Sequence, residues 1–142
     1  MINIFFHKII PTDLQAKSLY DLLSKRKHVI SHKHKPSFGE HKAFVFSNPY
    51  RAWYIVEKKS KPIGTIYITK ENTIGINFSA GPDYKFVEEI VNYVKANYSP
   101  LPEIKSIRGN TFAVNASPKN KPLITALETL EAKIVQISYA IE

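Results

Sequence analysis

The sequence contains no cysteine in its 142 residues. This absence excludes a catalytic thiolate, a cysteine-ligated zinc site and a disulfide framework, and it fits a reducing compartment. The sequence also has no apolar run near the roughly 18 residues that a membrane-spanning helix requires. Its N-terminus lacks the basic start, apolar stretch and small-residue cleavage site of a signal peptide. These absences predict a soluble, cytoplasmic protein with no membrane partner.

Acidic residues are scarce relative to basic ones, with 12 aspartates and glutamates against 20 lysines and arginines and a net charge of +8. Such a balance favours an anionic partner, which a phosphate-bearing small molecule, a nucleic acid or an acidic protein would each provide. The basic residues are densest over residues 25–42. Histidines occur there too, but no carboxylate cluster accompanies them and the neighbouring lysines repel cations, so we expect no metal site.

The chain length predicts one domain, residues 1–142, whose core buries about two thirds of the surface of the extended chain. The hydrophobic pattern predicts elements in the order β, α, α, β, β, β, α, β, α, β. This order predicts an α/β (α+β) fold, in which helices lie on the faces of a mixed sheet.

The N-terminal third of the sequence predicts a strand followed by two helices. Residues 2–6 have the pattern of the strand, and Thr12 with Gln15 three positions later matches a capping box that begins the first helix. The apolar stripe of this helix consists of Leu14, Leu19, Leu22 and Leu23. A second, short helix is predicted over residues 39–47. Its predicted inner face carries His41, Phe44 and Val45.

The middle of the sequence predicts three strands. Residues 50–57 alternate in the manner of a half-buried strand, the polar residues 58–62 form a turn, and residues 63–69 return as the second strand of a hairpin. Residues 72–78 form the third strand. Because strand side chains alternate between faces, this strand should place Ile74, Ile76 and Phe78 on one face and Gly75 and Asn77 on the other.

The C-terminal half predicts two helices and two strands. Asp83 can cap a helix in which Phe86, Ile90 and Val94 repeat at a spacing of four. Residues 104–115 are predicted to be largely extended. Asn120 can cap a last helix, which carries Leu123, Ile124, Leu127 and Leu130, and residues 133–141 alternate in the manner of a closing strand.

The turn between the third strand and the following helix is the most suggestive feature of the sequence. Residues 79–82 include Gly81 and lead into the helix that begins near Asp83. A strand that enters a helix through a tight turn leaves main-chain N–H groups unpaired at the positive end of the helix dipole. The sequence therefore predicts a phosphate site at this corner.

Three stretches of the sequence resemble the GNAT acyltransferase superfamily, whose members transfer an acetyl group from acetyl-CoA to an amine. They are the hairpin strands 53–57 and 63–67, the third strand 74–78, and residues 114–121 together with residues 133–136. The resemblance covers nearly the whole chain. It implies a GNAT-like fold with a central mixed, mostly antiparallel sheet flanked by helices.

The resemblance also implies which residues hold acetyl-CoA, the co-substrate. The third strand should diverge from the next strand, so that main-chain groups of residues 76–78 bind the pantetheine arm, and the amides of residues 81–86 should hold the diphosphate. The implied acetyl-CoA-binding residues are Ile76, Asn77, Phe78, Gly81, Tyr84, Lys85, Phe86, Asn115 and Asn120.

Acyl transfer needs a group that takes a proton from the amine and a group that returns one to the departing thiolate. On family grounds His41 is the candidate base, with His32 and His34 as alternatives, because an imidazole titrates near neutral pH. Tyr67 is the alternative proton donor, since it lies on the strand next to the implied acyl channel. The candidate catalytic residues are therefore His41 and Tyr67.

Two functions follow from the resemblance. The first is an N-acetyltransferase acting on a primary amine of a small molecule, and a weaker match at residues 40–44 and 48–53 points to a nucleotide-linked amino sugar. The sequence leaves two further points open. The acyl donor can be a longer thioester than acetyl-CoA, and the protein can be a monomer or a homodimer. Lys85 and Val87 stand where the family has small residues, and Leu127 stands where it often has a catalytic tyrosine. These departures motivate the alternative, which comes second: a catalytically inactive GNAT-fold binding module for nucleic acid or another anionic partner.

Overall fold

A computed structural model describes residues 4–25, 35–79 and 84–142 of the chain. Within these ranges the elements in chain order are β1 (Ile4–Lys8), α1 (Asp13–Ser24), α2 (Phe38–Ser47), β2 (Ala52–Lys58), β3 (Lys61–Ile68), β4 (Thr73–Phe78), α3 (Tyr84–Asn97), β5 (Ala113–Val114) and α4 (Lys121–Thr129). None of these helices is long and apolar enough to cross a membrane.

The described strands form one sheet in the order β1-β2-β3-β4-β5. The first three pairings are antiparallel, and β4 pairs with β5 in parallel. The predicted α/β fold class, with a mixed and mostly antiparallel sheet flanked by helices, is confirmed. The first strand extends to Lys8, two residues beyond its predicted end.

Helices cover both faces of the sheet, and β2 shows the consequence. Its residues from Ala52 to Val56 are all buried. Trp53 and Ile55 belong to the core cluster formed with α1 and α2, whereas Tyr54 and Val56 belong to the cluster formed with α3 and α4. The prediction of a half-buried strand was therefore wrong here, because apolar residues at successive positions reflect a strand covered on both faces.

A two-residue turn joins β2 to β3, shorter than the predicted turn over residues 58–62. Lys59 and Ser60 both have positive φ, 52° and 62°. Positive φ at both central positions defines a type I′ turn, whose twist matches that of the flanking antiparallel strands. The predicted hairpin is confirmed, although neither residue is the asparagine or glycine that usually signals this turn.

Helix α1 begins as predicted at Thr12, whose Oγ1 accepts a hydrogen bond from the N–H of Gln15 at 3.2 Å. The Gln15 side chain accepts from the N–H of Ile10, so only half of the predicted capping box forms. Leu14, predicted in the apolar stripe, is 77% exposed. Because each helical residue turns the chain by about 100°, Leu14 lies about 140° around the helix from the buried Leu19.

Helices α3 and α4 pack on the face of the sheet opposite α1 and α2. The buried residues of α3 are Val87, Ile90 and Val94, which confirms most of the predicted stripe. Asn120 caps α4, with its side-chain oxygen accepting from the N–H of Leu123 at 3.4 Å. The predicted cap of α3 at Asp83 lies outside the described residues.

Two predicted strands differ from the structure. Only Ala113–Val114 of the segment 104–115 pair with the sheet, and a bridge between Ile104 and Arg108 folds the preceding part back on itself. Residues 133–141, predicted as a closing strand, join no other strand within the described ranges. Alternation in sequence identifies strand-like segments, but it does not supply the partner that a strand needs.

A buried asparagine explains why the segment before β5 is irregular. Asn72 is 1% exposed and has φ of 65°. Its Nδ2 donates to the carbonyl oxygens of Leu101 and Gly109, both at 2.9 Å, and its Oδ1 accepts from the N–H of Leu101 at 2.7 Å. These bonds satisfy main-chain N–H and C=O groups of the loop, which in a strand would have bonded to a neighbouring strand.

Candidate functional site

A cavity of about 630 Å³ lies between the sheet and helices α1 and α2. This volume is typical of sites for small molecules. Aliphatic and aromatic side chains make up much of its wall, among them Leu19, Leu22, Phe44, Tyr50, Trp53 and Tyr67. A few polar residues line it as well, including Glu40, His41, Thr65 and Asn77. The structure thus brings His41 and Tyr67, the two candidate catalytic residues, to one cavity.

Helix α2 positions His41. Ser37 and Glu40 form a complete capping box at its start, with Ser37 Oγ accepting from the N–H of Glu40 at 3.2 Å. His41 and Val45 lie one turn apart on the inner face and are both buried. Asn48, with φ of 44°, ends the helix in the left-handed conformation. Both ends of the helix are therefore fixed locally, which holds the imidazole at the cavity wall.

His41 is 8% exposed, and its Nε2 is fully buried with no hydrogen-bond partner in the described part of the chain. A buried polar atom without a protein partner is unusual, and either a bound water or a functional role explains it. Burial disfavours the imidazolium and lowers the pKa of His41 below its ordinary value of 6.5. The imidazole is therefore neutral at neutral pH and is able to accept a proton. The alternative bases, His32 and His34, lie outside the described residues.

Tyr67 reaches from β3 across the neighbouring strand. It pairs with Gly75 in the β3–β4 ladder, and a β-carbon placed on Gly75 would lie 2.0 Å from Cζ, the ring carbon that bears the hydroxyl. On its other side the ring stacks on Tyr50, with centroids 4.0 Å apart and planes 13° apart. The ring is therefore held over β4, and its hydroxyl projects beyond Gly75.

Strand β4 diverges from β5, as the family resemblance implied. The two strands pair only at Thr73 with Ala113 and at Ile74 with Val114, although β4 continues to Phe78. Over the last four residues of β4, the described strands provide no ladder on the β5 side. Among the described strands, the C-terminal half of β4 therefore has no partner on its β5 side, and we call this unpaired side the gap.

Two hydrogen bonds define which main-chain groups face this gap. The N–H of Ser79 donates to the carbonyl of Ile63 on the β3 side at 3.0 Å, and the carbonyl of Asn72 accepts from the N–H of Ala113 on the β5 side at 2.9 Å. Main-chain groups of alternate residues in a strand point to opposite sides. Odd-numbered residues of β4 therefore bond to β3, and even-numbered residues point towards β5.

This alternation separates the three predicted pantetheine-binding residues. The main-chain groups of Ile76 and Phe78 point into the gap, whereas those of Asn77 bond to Thr65 in the β3 ladder. The prediction for the main chain of Asn77 is therefore corrected, because these groups already have partners. The side chain of Asn77 instead lines the cavity, together with Phe78. Ile76 is buried in the core on the opposite face.

Helix α3 begins next to this strand end. Tyr84 and Lys85 are exposed in its first turn, and Phe86 is half-buried against Phe78, with ring centroids 5.9 Å apart. Val87, which stands where the family has a small residue, is fully buried in the core and so points away from the surface of the first turn. Gly81, the centre of the predicted phosphate loop, lies outside the described residues.

The remaining two predicted acetyl-CoA residues lie after β5. Asn115 is exposed one position beyond that strand, and Asn120 is half-buried as the cap of α4. The side-chain oxygen of Asn120 accepts the capping hydrogen bond. The amide nitrogen of the same side chain takes no part in the cap. Within the described ranges, no group of three or more histidine, aspartate or glutamate residues lies close enough to hold a metal ion.

Sequence reasoning missed much of the cavity wall. Tyr50, Trp53 and Phe44 form a cluster of edge-to-face ring contacts, with centroids 5.0 to 5.8 Å apart. The sequence indicates these residues only as apolar positions of a core. The closeness of Tyr50 to Trp53 along the chain, just before β2, is the one signal that predicts an aromatic cluster at this end of the strand.

Comparison of the sequence with protein-family models and with curated proteins found no match. The structure, however, is similar to solved acetyltransferases. The aminoglycoside N-acetyltransferase AAC(6')-Iy, solved in complex with CoA, has a TM-score of 0.61 and 12% identity, covering 100% of this chain and 95% of its own. A possible acetyltransferase from Clostridium difficile 630 has a TM-score of 0.58 and 14% identity, covering 100% and 98%.

An acetyltransferase from Thermus thermophilus has a TM-score of 0.60 and 11% identity, covering 89% of this chain and 87% of its own. These similarities extend over nearly the full length of both compared chains. At such low sequence identity, they establish the fold and not the activity. The chain therefore has the GNAT-like fold of these acetyltransferases.

Proposed function

We propose that the protein is an N-acetyltransferase that transfers the acetyl group of acetyl-CoA to a primary amine of a small molecule. One observation carries the proposal. The end of β4 contributes Asn77 and Phe78 to the wall of the cavity, while its other side presents main-chain groups to the gap beside β5. A donor bound along the gap and an acceptor held in the cavity would meet at this strand end.

The residues around the gap fit acetyl-CoA. Main-chain groups of Ile76 and Phe78 have no ladder partner there among the described strands, so an extended amide-containing arm would satisfy them. The first N–H groups of α3 have no intrahelical partners, and together with Lys85 they favour a diphosphate. Gly81 is proposed to join them, and Tyr84, Phe86, Asn115 and Asn120 to border the nucleotide. Acetyl-CoA supplies its acetyl group as an activated thioester.

His41 is proposed to accept the proton that the amine gives up. A neutral imidazole is required for this step, and burial of His41 keeps it neutral. Because its unpartnered Nε2 is buried, we propose that a bound water passes the proton of the amine to this atom. Tyr67, whose ring is held over Gly75, is proposed to return a proton to the leaving sulfur.

The cavity wall favours an acceptor whose amine is attached to a ring. Aromatic side chains such as Tyr50, Trp53 and Tyr67 give the cavity an apolar wall, against which a sugar ring or a nucleobase can pack. A nucleotide-linked amino sugar, the narrower prediction from sequence, offers such rings and also the phosphates that a chain of net charge +8 attracts. We therefore propose this class first among acceptor amines.

Isothermal titration calorimetry with acetyl-CoA tests the proposal most directly. We expect saturable binding, and its absence at millimolar acetyl-CoA would overturn the function. Turnover is then measured as released thiol, which the protein cannot contaminate because it has no cysteine. The acceptor panel should contain nucleotide-linked amino sugars, free amino sugars, aminoglycosides and aromatic amines, so that a preference among ring classes is seen directly.

Two variants separate binding from proton transfer. His41→Gln should bind acetyl-CoA with the affinity of the parent protein and turn over about 10²-fold more slowly or worse. Tyr67→Phe keeps the stacked ring and removes only the hydroxyl, so a lower rate would support its role as proton donor. If acetyl-CoA does not bind, mobility shifts with RNA and DNA over a salt series test the alternative binding module, whose affinity must fall as salt rises.

A further inference from the structure

Two charged side chains lie on the wall of an otherwise largely apolar cavity. Within the described part of the chain, Lys35 and Glu40 are the lining residues that carry a full charge. Neither side chain takes part in the proposed proton transfer. A charge at a small-molecule site usually fixes the orientation of the ligand and selects among ligands, so each of the two needs an explanation.

The carboxylate of Glu40 is already engaged at the start of α2. Its Oε1 accepts from the hydroxyl of Ser37 at 2.9 Å and from the N–H of Ser37 at 3.4 Å. Glu40 also lies in the first turn of the helix, where the positive end of the helix dipole stabilises a negative charge. The negative charge on the cavity wall is therefore compensated within the protein.

Tyr20 holds the ammonium group of Lys35 at the rim of the cavity. The Nζ of Lys35 lies 4.2 Å from the ring centroid of Tyr20, which is within the range of a cation–π contact. The hydroxyl of Tyr20 donates to the carbonyl oxygen of Pro36 at 3.0 Å, and this bond fixes the main chain next to Lys35. The ring of Tyr20 also packs edge-to-face on Phe38, with centroids 5.4 Å apart.

The positive charge of Lys35 has no carboxylate partner within the described ranges. The ion pairs there join His7 to Glu57 and Lys42 to Asp13. The contact with Tyr20 orients the ammonium but does not neutralise it, because the ring carries no net charge. The rim of the cavity therefore presents a positive charge that an anionic group of a bound molecule would balance.

The position of Tyr20 limits how far Lys35 lies from the proposed base. The ring of Tyr20 contacts both groups, with its centroid 4.2 Å from Nζ of Lys35 and 5.4 Å from the ring centroid of His41. At most about 10 Å therefore separates the ammonium from the imidazole. A single sugar ring that carries both an amine and a phosphate has a length of this order, so its two groups can be held at the same time.

We propose that Lys35 binds a phosphate group of the acceptor, and that the acceptor is an amino sugar with a phosphate attached to its ring. The inference rests on the proposed N-acetyltransferase function, which assigns the acceptor to this cavity. Lysine binds phosphate as a point charge, whereas arginine matches the planar carboxylate better. Tyr20 is the positioning residue for Lys35. The phosphate is either the end of a sugar phosphate or the first phosphate of a nucleotide sugar.

The emission of Trp53 measures binding in the cavity without acetyl-CoA, because Trp53 is the only tryptophan of the chain and lies in the cavity wall. We expect glucosamine 1-phosphate to bind about tenfold more tightly than glucosamine, since it adds a hydrogen bond between two charged groups. Lys35→Gln should lose most of this preference. Lys95→Gln removes the same charge from the end of α3, on the other face of the sheet, and should keep the preference.

Three further ligands and variants sharpen the assignment. UDP-glucosamine should also bind more tightly than glucosamine. If it binds more tightly than glucosamine 1-phosphate as well, the phosphate is that of a nucleotide sugar, and otherwise it is that of a simple sugar phosphate. An amino sugar with a carboxylate in place of the phosphate, 2-amino-2-deoxyglucuronate, should bind less tightly. Tyr20→Phe keeps the ring and loses the bond to Pro36, so it should weaken glucosamine 1-phosphate by about threefold and leave glucosamine unchanged.

Turnover separates a failure of this inference from a failure of the proposed function. Lys35→Gln should raise KM for glucosamine 1-phosphate about tenfold and leave kcat and the affinity for acetyl-CoA unchanged, because the charge binds substrate and transition state alike. If the protein acetylates no amine, the proposed function fails, and the phosphate preference is still read from Trp53.

Three results would overturn the role of Lys35. The first is equal binding of glucosamine and glucosamine 1-phosphate by the parent protein. The second is an equal loss of the preference in Lys35→Gln and Lys95→Gln, which would assign it to net charge alone. The third is binding of the carboxylate ligand as tight as that of the phosphate ligand. Circular dichroism of the variants confirms that folded proteins are compared.

Discussion

Tyr67 and Gly75 face each other across β3 and β4, and the tyrosine ring occupies the space that a side chain at residue 75 would need. The relationship links packing to the proposed chemistry. Because Gly75 has no β-carbon, the ring lies over the strand at this position. The ring of Tyr50, stacked 4.0 Å away, holds it from the other side.

Gly75→Ala should destabilise the protein by about 1–3 kcal/mol, the range for overpacking a filled site. The added β-carbon would lie 2.0 Å from Cζ of Tyr67, so the ring must move. Urea unfolding measures the loss. In a Tyr67→Ala background the same change should cost less, because the clashing ring is gone. Equal costs in both backgrounds would contradict the contact.

Gly39→Ala is the matched control for this prediction. Gly39 lies in the first turn of α2, and a β-carbon there would meet nothing within 4 Å. The substitution should raise the free energy of unfolding by up to about 1 kcal/mol, because alanine loses less backbone entropy than glycine on forming a helix. The two glycine variants are thus expected to shift stability in opposite directions.

Stability should depend on pH through His41. Its pKa in the folded protein is below 6.5 because burial disfavours the charged form, whereas the unfolded chain titrates near that ordinary value. The unfolded state therefore binds more protons once the pH falls below 6.5, and stability declines from there down to the pKa of the folded state. Above 6.5 the stabilisation from neutral His41 is complete.

Urea unfolding of the parent protein and of His41→Gln at a series of pH values checks this prediction. Glutamine is polar and does not titrate. The stability of the variant should therefore fall less than that of the parent protein as the pH is lowered below 6.5, because the contribution of His41 is gone. An unchanged pH profile would show that another group is responsible.

Asn72→Ala should destabilise the protein by about 2–4 kcal/mol, because it leaves the N–H of Leu101 and the carbonyls of Leu101 and Gly109 without their partner. Hydrogen exchange should show faster exchange in the loop of residues 98–112 in particular. Asn97→Ala is the control, since the exposed Asn97 side chain makes one bond within its own helix, to the carbonyl of Tyr93. Comparable losses in the two variants would argue against a clamping role for Asn72.

Lys85 and Lys95 lie at opposite ends of α3, in its first and last turns. Lys85→Ala should weaken acetyl-CoA binding about three- to tenfold while slightly stabilising the free protein, because a cation is unfavourable at the start of a helix. Lys95→Ala should leave binding unchanged and slightly destabilise the protein, because a cation is favourable at the end. Calorimetry of the two variants tests the expected effects on acetyl-CoA binding, and thermal unfolding tests the expected changes in stability. Weaker binding in Lys95→Ala would contradict a site at the start of the helix.

Several elements were predictable because their causes are local. The oxygen of Thr12 and that of Asn120 each bond to an N–H three residues ahead, so a helix start is visible in a few letters of sequence. The spacing of Ile90 and Val94 likewise predicts the buried face of α3. The resemblance in the hairpin and in β4 was enough to predict the GNAT-like fold. It also selected His41 and Tyr67 as candidate catalytic residues, and both line one cavity.

Other features depended on residues that are far apart in the chain. Asn72 bonds to loop residues 29 and 37 positions further along the chain, and nothing in the sequence near Asn72 indicates those partners. The burial of His41 follows from α1 and the sheet packing around α2, so its lowered pKa was not visible from a helix pattern. Asn77 was predicted to offer main-chain groups that the ladder with Thr65 had already taken.

The sequence by itself determined the periodicities and end signals of the helices and strands, and through them the fold class, because those signals act over a few residues. Only the tertiary structure decided that β2 is buried on both faces and that Tyr67 lies over Gly75. It also decided that residues 133–141 pair with no other strand in the described part of the chain. Packing and strand pairing join distant residues, and such contacts depend on three-dimensional neighbours that a linear pattern does not contain.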